Sequence, residues 1–136
     1  MSLSLARTDI ATAVQAIKTA WTTYPLAIET DNRDSIDYAK QQKPFLQLDT
    51  VFLSAEQLDL GPASKTRQYG QLVLSAAVKE GSGVAEALAL LDFAIPYIER
   101  QNFVVVRTDA AEAHPAKTIK GWVYHPVVVN FHFVRS

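Results

Sequence analysis

Histidine is the side chain best suited to hold a transition metal or to move a proton near neutral pH, and the chain has three: His114, His125 and His132. His125 and His132 stand an odd number of residues apart, so a regular strand sends them to opposite faces. His114 precedes Pro115 in an expected loop. No carboxylate stands at ligand spacing from any of them, so surface histidines are expected and a metal is not. Asp31-Asn32-Arg33-Asp34-Ser35-Ile36-Asp37 has the acid content of a calcium loop. It lacks acids at alternating positions, the turn glycine and the closing glutamate, and reads as a solvated acidic loop. Gly81-Ser82-Gly83 ahead of a helix would offer backbone N–H groups to a phosphate. The third glycine of a dinucleotide fingerprint is replaced by Glu86, whose charge opposes an anion. Ser82 also lacks the Gly-x-Ser-x-Gly setting of an elbow nucleophile. Lys65-Thr66-Arg67, close to Tyr69, is a small basic cluster fitted to a phosphate or an acidic partner. No catalytic residue, cofactor or metal is expected from these patterns.

The clearest pattern is at the end of the chain. From Gly121 to Arg135 the sequence reads as one long strand, with Val127, Val129, Phe131 and Phe133 on one face and Val128, Asn130, His132 and Val134 on the other. One face is a wholly apolar layer and the other is mixed. The opening element is an amphipathic helix, beginning between Ser4 and Thr8 and ending near Trp21. Its stripe is Ile10, Ala13, Val14, Ile17 and Trp21, with Thr8 and Asp9 as capping residues. Leu26-Ala27-Ile28 reads as a short strand, residues 30–43 as a long polar connection, and Leu46 to about Leu53 as a half-buried strand. A loop over residues 54–66 leads to a strand from about Arg67 to Lys79, in which Gly70 marks a bulge or a close backbone approach. Ser82 is the expected N-cap of a second helix with the stripe Val84, Leu88, Leu91, Ile95 and Ile98, and Pro96 must kink it or end its regular part. Phe103–Val106 begins another strand, residues 109–118 form a loop, and the closing strand starts near Ile119, its pairing limited at Pro126. The order α-β-β-β-α-β-β predicts an α+β fold: a largely antiparallel or mixed sheet of four to five strands on two main helices.

The chain has 136 residues, 49% hydrophobic and 20% charged, which predicts a single domain over residues 1–136. A net charge of −1 argues against general nucleic-acid binding. Residues 29–60 carry the acids Glu29, Asp31, Asp34, Asp37, Asp49, Glu56 and Asp59 against Arg33, Lys40 and Lys43, while the remainder to the C-terminus is basic on balance. Opposite patches on one subunit would favour head-to-tail contact, while solvated loops of unequal charge are the commoner explanation of such a split. The absence of cysteine excludes disulfides, thiolate metal sites and a cysteine nucleophile. The first residues lack the pattern of a signal peptide, and no apolar run is long enough to span a bilayer.

Several of these landmarks, taken in order, resemble the tail terminator proteins of long-tailed bacteriophages, the minor tail protein U type. They are a first helix ending in Trp21 and followed by Tyr24-Pro25-Leu26-Ala27-Ile28-Glu29, then the strand Lys65-Thr66-Arg67-Gln68-Tyr69-Gly70-Gln71-Leu72-Val73-Leu74. The step Gly81-Ser82-Gly83 into an Ala/Leu-rich helix follows, and last the stretch from Trp122 to Phe133 with Pro126-Val127 inside it. The longer, more acidic second loop and Pro96 depart from the family pattern. The resemblance implies a structural α+β subunit that joins copies of itself in a hexameric ring when assembled, and is a monomer or ring in isolation. The ring caps the tail tube, stops its polymerisation and presents a surface to the head-completion protein. It implies assembly in the bacterial cytoplasm and a final place in the virion tail, with no membrane, nucleic acid, cofactor or catalysis. Candidate subunit contacts are Asp31, Arg33, Asp34 and Asp37 on one side and Lys65, Arg67 and Tyr69 on the other.

The rival expectation is a small ligand-binding or enzymatic domain with a pocket between sheet and helices. It would have to recruit Tyr124, Asn130 and His132 from the even-numbered face of the last strand.

Overall fold

Helical spacing of Ala6, Ile10, Ala13 and Ile17 forms the buried stripe of α1 (Leu3–Ala20). The computed structural model describes residues 3–30, 40–58, 61 and 65–135. After α1 come β1 (Ile28–Thr30), β2 (Phe45–Gln57), β3 (Thr66–Lys79) and α2 (Ala85–Ala94), the last continued by a 3-10 turn over Ile95–Tyr97. The chain closes with β4 (Arg107–Ala113), β5 (Lys117–Ile119) and β6 (Trp122–Arg135). The six strands form one mixed sheet in the order β1-β2-β3-β6-β4, with β5 also pairing with β6. Only β1 and β2 are parallel; every other pair is antiparallel. The fold is α+β, with one strand more than the sequence predicts.

Both helices cover the same face of the sheet. Ile10, Ile17, Leu90, Ala94 and Ile98 pack with Leu46, Leu48, Leu72, Leu74, Val127, Val129, Phe131 and Phe133 in one core. The alternation along β6 is therefore as expected, with the odd-numbered residues under the helices. Trp21 joins α1 to α2 by an edge-on contact with Phe93 at 4.9 Å.

A second, smaller core lies on the opposite face and was not foreseen. Phe45, Trp122 and Tyr124 are buried there with Ala77, the Phe45 ring lying 5.0 Å from Trp122 and 6.0 Å from Tyr124. Lys79 stands over Trp122, its Nζ 5.9 Å from the ring.

Asp9 is not a cap. It is buried in the middle of α1, and its Oδ2 accepts the backbone N–H groups of Val105 at 2.7 Å and Val106 at 2.9 Å. That pair of bonds explains the largest error in the expected strands. Phe103–Val106 is rich in strand formers but makes a turn, in which the Phe103 N–H donates to the Val106 carbonyl at 2.9 Å. The strand is the following Arg107–Ala113, most of which was expected to be loop. Its alanines and acids are poor strand formers, yet β6 supplies a pairing edge, and Glu99 accepts the Ala111 N–H at 2.8 Å within the shift between Thr108 and Ala111.

β2 likewise runs to Gln57 rather than to Leu53, because a shift between Phe52 and Ala55 restores pairing with β3. Gln68 holds that irregularity, its Nε2 donating to the Leu53 carbonyl at 3.1 Å and the Ser54 carbonyl at 3.3 Å. On α2 the buried residues are Ala87, Leu90, Leu91 and Ala94, while Val84 and Leu88 are half exposed. The helix is apolar nearly all round, so periodicity does not choose its face, and two alanines let it sit close to the sheet. Val84 takes the N-cap position without a side-chain bond; Ser82 closes the preceding turn instead, its Oγ donating to the Lys79 carbonyl at 2.6 Å. Pro96 ends the regular helix as expected, inside the 3-10 turn.

Pro126 leaves the β3–β6 register unbroken opposite Ser75. Within a strand, a residue's N–H position and carbonyl point to the same edge. The Pro126 carbonyl accepts from His114 N–H on the β4 side, so the missing donor falls in the gap between β4 and β5 and costs no bond to β3.

Candidate functional site

β3 begins, β6 ends and β4 begins at the same end of the sheet, which brings their terminal basic residues together. A cleft of about 440 Å³ opens there. Lys65 immediately precedes β3 and Arg67 lies at its start, Arg107 comes from the start of β4, and His132 and Arg135 from the end of β6. Val104, Val105, Phe133 and Val134 supply its apolar wall. No Asp or Glu lines it among the described residues.

Register fixes the side-chain positions. Arg67 lies opposite Val134, Tyr69 opposite His132, and His132 opposite Arg107, so these residues share the face away from the helices. Tyr69 stands just outside the cleft, its ring 6.3 Å from His132 and its hydroxyl donating to Glu56 Oε2 at 3.0 Å. The Arg107 guanidinium donates to the carbonyls of Phe103 and Val106 and so clamps the turn that forms one wall. Arg67 Nε and Arg135 Nε are buried without a hydrogen-bond partner. The ion pair of His114 with Glu112, at 3.9 Å, lies elsewhere. Guanidinium groups offer forked donors to carboxylates and phosphates, so the cleft is built to take an anion attached to something partly apolar.

Of the expected contact residues, Lys65 and Arg67 line this cleft and Tyr69 borders it. Asp31, Arg33, Asp34 and Asp37 lie outside the described residues. His132 was expected only in the rival pocket, and Arg107 and Arg135 were missed as site residues. Their only sequence signal is a position at the edge of an apolar run, which gains meaning once three strand ends meet. The three histidines do not converge: His125 lies on the helix-covered face opposite Ala76, and His132 on the other. Among the described residues no group of three His, Asp or Glu side chains is placed to hold a metal.

The face carrying Asn130 and His132 lies away from the helices, not between sheet and helices as the ligand-binding expectation required. There Gln71 Nε2 donates to Asn130 Oδ1 at 3.2 Å, and Tyr124 is buried in the second core. A smaller cavity of about 260 Å³ lies between α2, the segment that follows α1 and the β1–β2 connection, lined by Trp21, Tyr24, Lys43, Glu86 and neighbours. Tyr24 donates its hydroxyl to the Pro44 carbonyl at 2.9 Å. Burial, and secondly the charge of Glu86, raise its phenol pKa.

No protein-family profile and no curated protein matches the chain. Among solved structures, 14 chains match. One of them, whose title gives no function, superposes with a TM-score of 0.69 at 14% identity, covering 98% of this chain and 96% of its own. At that identity the likeness is one of fold.

No described helix is long and apolar enough to cross a membrane.

Proposed function

We propose that this chain is a structural protein of a phage or prophage tail, which caps the tail tube, stops its polymerisation and forms part of the head–tail joining surface as a ring of copies. The observation that carries the proposal is the pairing of an exposed apolar arm with a basic cleft at the same end of the sheet. Beyond the helices, β2 exposes Val51, Phe52 and Leu53 at 42%, 44% and 50%. Exposed strand surface of this kind favours contact with other chains. The order of motifs from Trp21 to Phe133 gives further support, as does the α+β fold that this resemblance implies.

In the proposed ring each subunit offers a different surface to each neighbour, the heterologous contact that closes a cycle. The acidic residues Asp31, Asp34 and Asp37, with Arg33 among them, meet the region of Lys65, Arg67 and Tyr69 on the next copy. The further partners are the tail tube protein and the head-completion protein. Assembly takes place in the bacterial cytoplasm and the product is carried in the virion tail. The role calls for no reaction and no cofactor.

The test is tube growth. Purified tail tube protein polymerises with and without this chain while length is followed by electron microscopy. The proposal expects shorter tubes bearing a ring at one end. Unchanged tube length with no added end density overturns it.

A further inference from the structure

β4 stops short of the end of β6. Its first residue, Arg107, lies opposite His132, and among the described residues no strand continues beside Phe133, Val134 and Arg135 on that side. Main-chain groups alternate between the two edges of a strand. The Pro126 carbonyl faces β4, so the N–H and C=O of Val134, an even number of residues onward, face the same side and open into the cleft. The chain that would have covered them is drawn away by Asp9, which takes the N–H groups of Val105 and Val106.

We propose that this gap is a docking site for an extended acidic peptide segment of a partner protein. The segment adds as a short strand beside Val134 and gives its carboxylates to the arginines of the cleft. Strand addition supplies affinity through main-chain bonds, and alternate side chains supply specificity. A residue paired with Val134 places its side chain on the face that carries Arg67 and Arg107, since Arg67 is the register partner of Val134 and Arg107 that of His132. The next residue turns to the other face, towards Phe133 and Arg135. Charge complementarity selects the occupant: the described lining holds basic side chains and no acid. Arg67 Nε and Arg135 Nε are buried donors without acceptors, an arrangement that a carboxylate relieves. A free phosphate would use the guanidinium groups but neither the Val134 main chain nor the apolar wall. The inference stands apart from the tail proposal, because a partner of any origin with this chemistry would fit.

The experiment is fluorescence anisotropy with the full chain and a short labelled peptide of alternating aspartate and valine. Binding is expected, weakened at least about tenfold when asparagine replaces aspartate and again when alternate peptide amides are N-methylated. The variant Arg67→Ala/Arg135→Ala, checked for folding by circular dichroism, is expected to lose a similar factor. The peptide series uses the unaltered protein, so its result stands even where the variant fails to fold. Equal binding of the asparagine peptide, or no binding at millimolar protein, overturns the proposal. If the N-methylated peptide binds as tightly as the parent and inorganic phosphate displaces both, the cleft is a small-anion site and strand addition is wrong.

Discussion

Asp9 in α1 holds the main chain of Val105, 96 residues further along the chain, by a 2.7 Å hydrogen bond from the Val105 N–H to its carboxylate. The same oxygen accepts from Val106. With only 5% of Asp9 exposed, both donors lose their partner when the carboxylate is removed. Asp9→Ala is therefore expected to cost about 3 kcal/mol, the range for leaving buried donors unmet. Asp9→Asn, which keeps an acceptor oxygen, costs less. Urea denaturation measures both, and equal stability of Asp9→Ala and the parent would show that the turn needs no anchor.

Gly70 faces the ring of Phe131. A β-carbon at residue 70 would stand 2.3 Å from Phe131 Cζ and 2.7 Å from the Val51 carbonyl oxygen, closer than packed atoms come. Phe131 is fully buried and the carbonyl belongs to the β2 main chain, so neither can yield freely. Gly70→Ala is expected to destabilise by about 3 kcal/mol, at the upper end for overpacking. Gly70→Ala/Phe131→Leu recovers part of that loss by clearing the ring, measured by the same denaturation.

Tyr24 gives a signed pH effect. Its folded pKa is raised by burial and then by Glu86, so the folded state holds its proton where the unfolded chain has lost it. Above the ordinary tyrosine value of about 10 the unfolded state binds fewer protons, and stability falls with rising pH. Below that value this contribution is complete. Thermal unfolding from pH 8 to about 11 should show a shallower alkaline decline in Tyr24→Phe than in the parent. A parallel decline in both would remove Tyr24 as a contributor.

The proposed ring predicts a charge effect. Arg67→Glu places an acid in the basic cleft and is expected to weaken self-association in low salt without unfolding the monomer, an effect that high salt reduces. Sedimentation velocity at the two salt concentrations reads it directly. If the parent assembles and the variant assembles equally well, Arg67 is not a subunit contact.

Much of the fold was legible because the strands obey a short repeat. The alternation from Val127 to Phe133 identifies the covered face, and the run from Arg67 to Lys79 marks β3 to within a residue. Gly70 announced a close approach, and the partner turned out to be Phe131. The stripe of α2 was misread because an almost wholly apolar helix has no preferred face until a sheet is laid against it. The 103–106 turn was misread for a different reason. Valine favours strands, but Asp9 competes for the same N–H groups from far away in sequence.

The site divides in the same way. Lys65 and Arg67 are neighbours in the chain, so a basic cluster was visible locally. Arg107 and Arg135 join them only through pairing of β4 and β3 with β6, and Val104, 86% exposed beside the cleft, reads in isolation as a core residue. The sequence alone determined which side chains alternate, where helices stop and which charges exist, since these depend on bonds between near neighbours. The tertiary structure decided where the sheet stays open and which charges gather there, because both follow from one buried carboxylate and from strand ends that meet only in the folded chain.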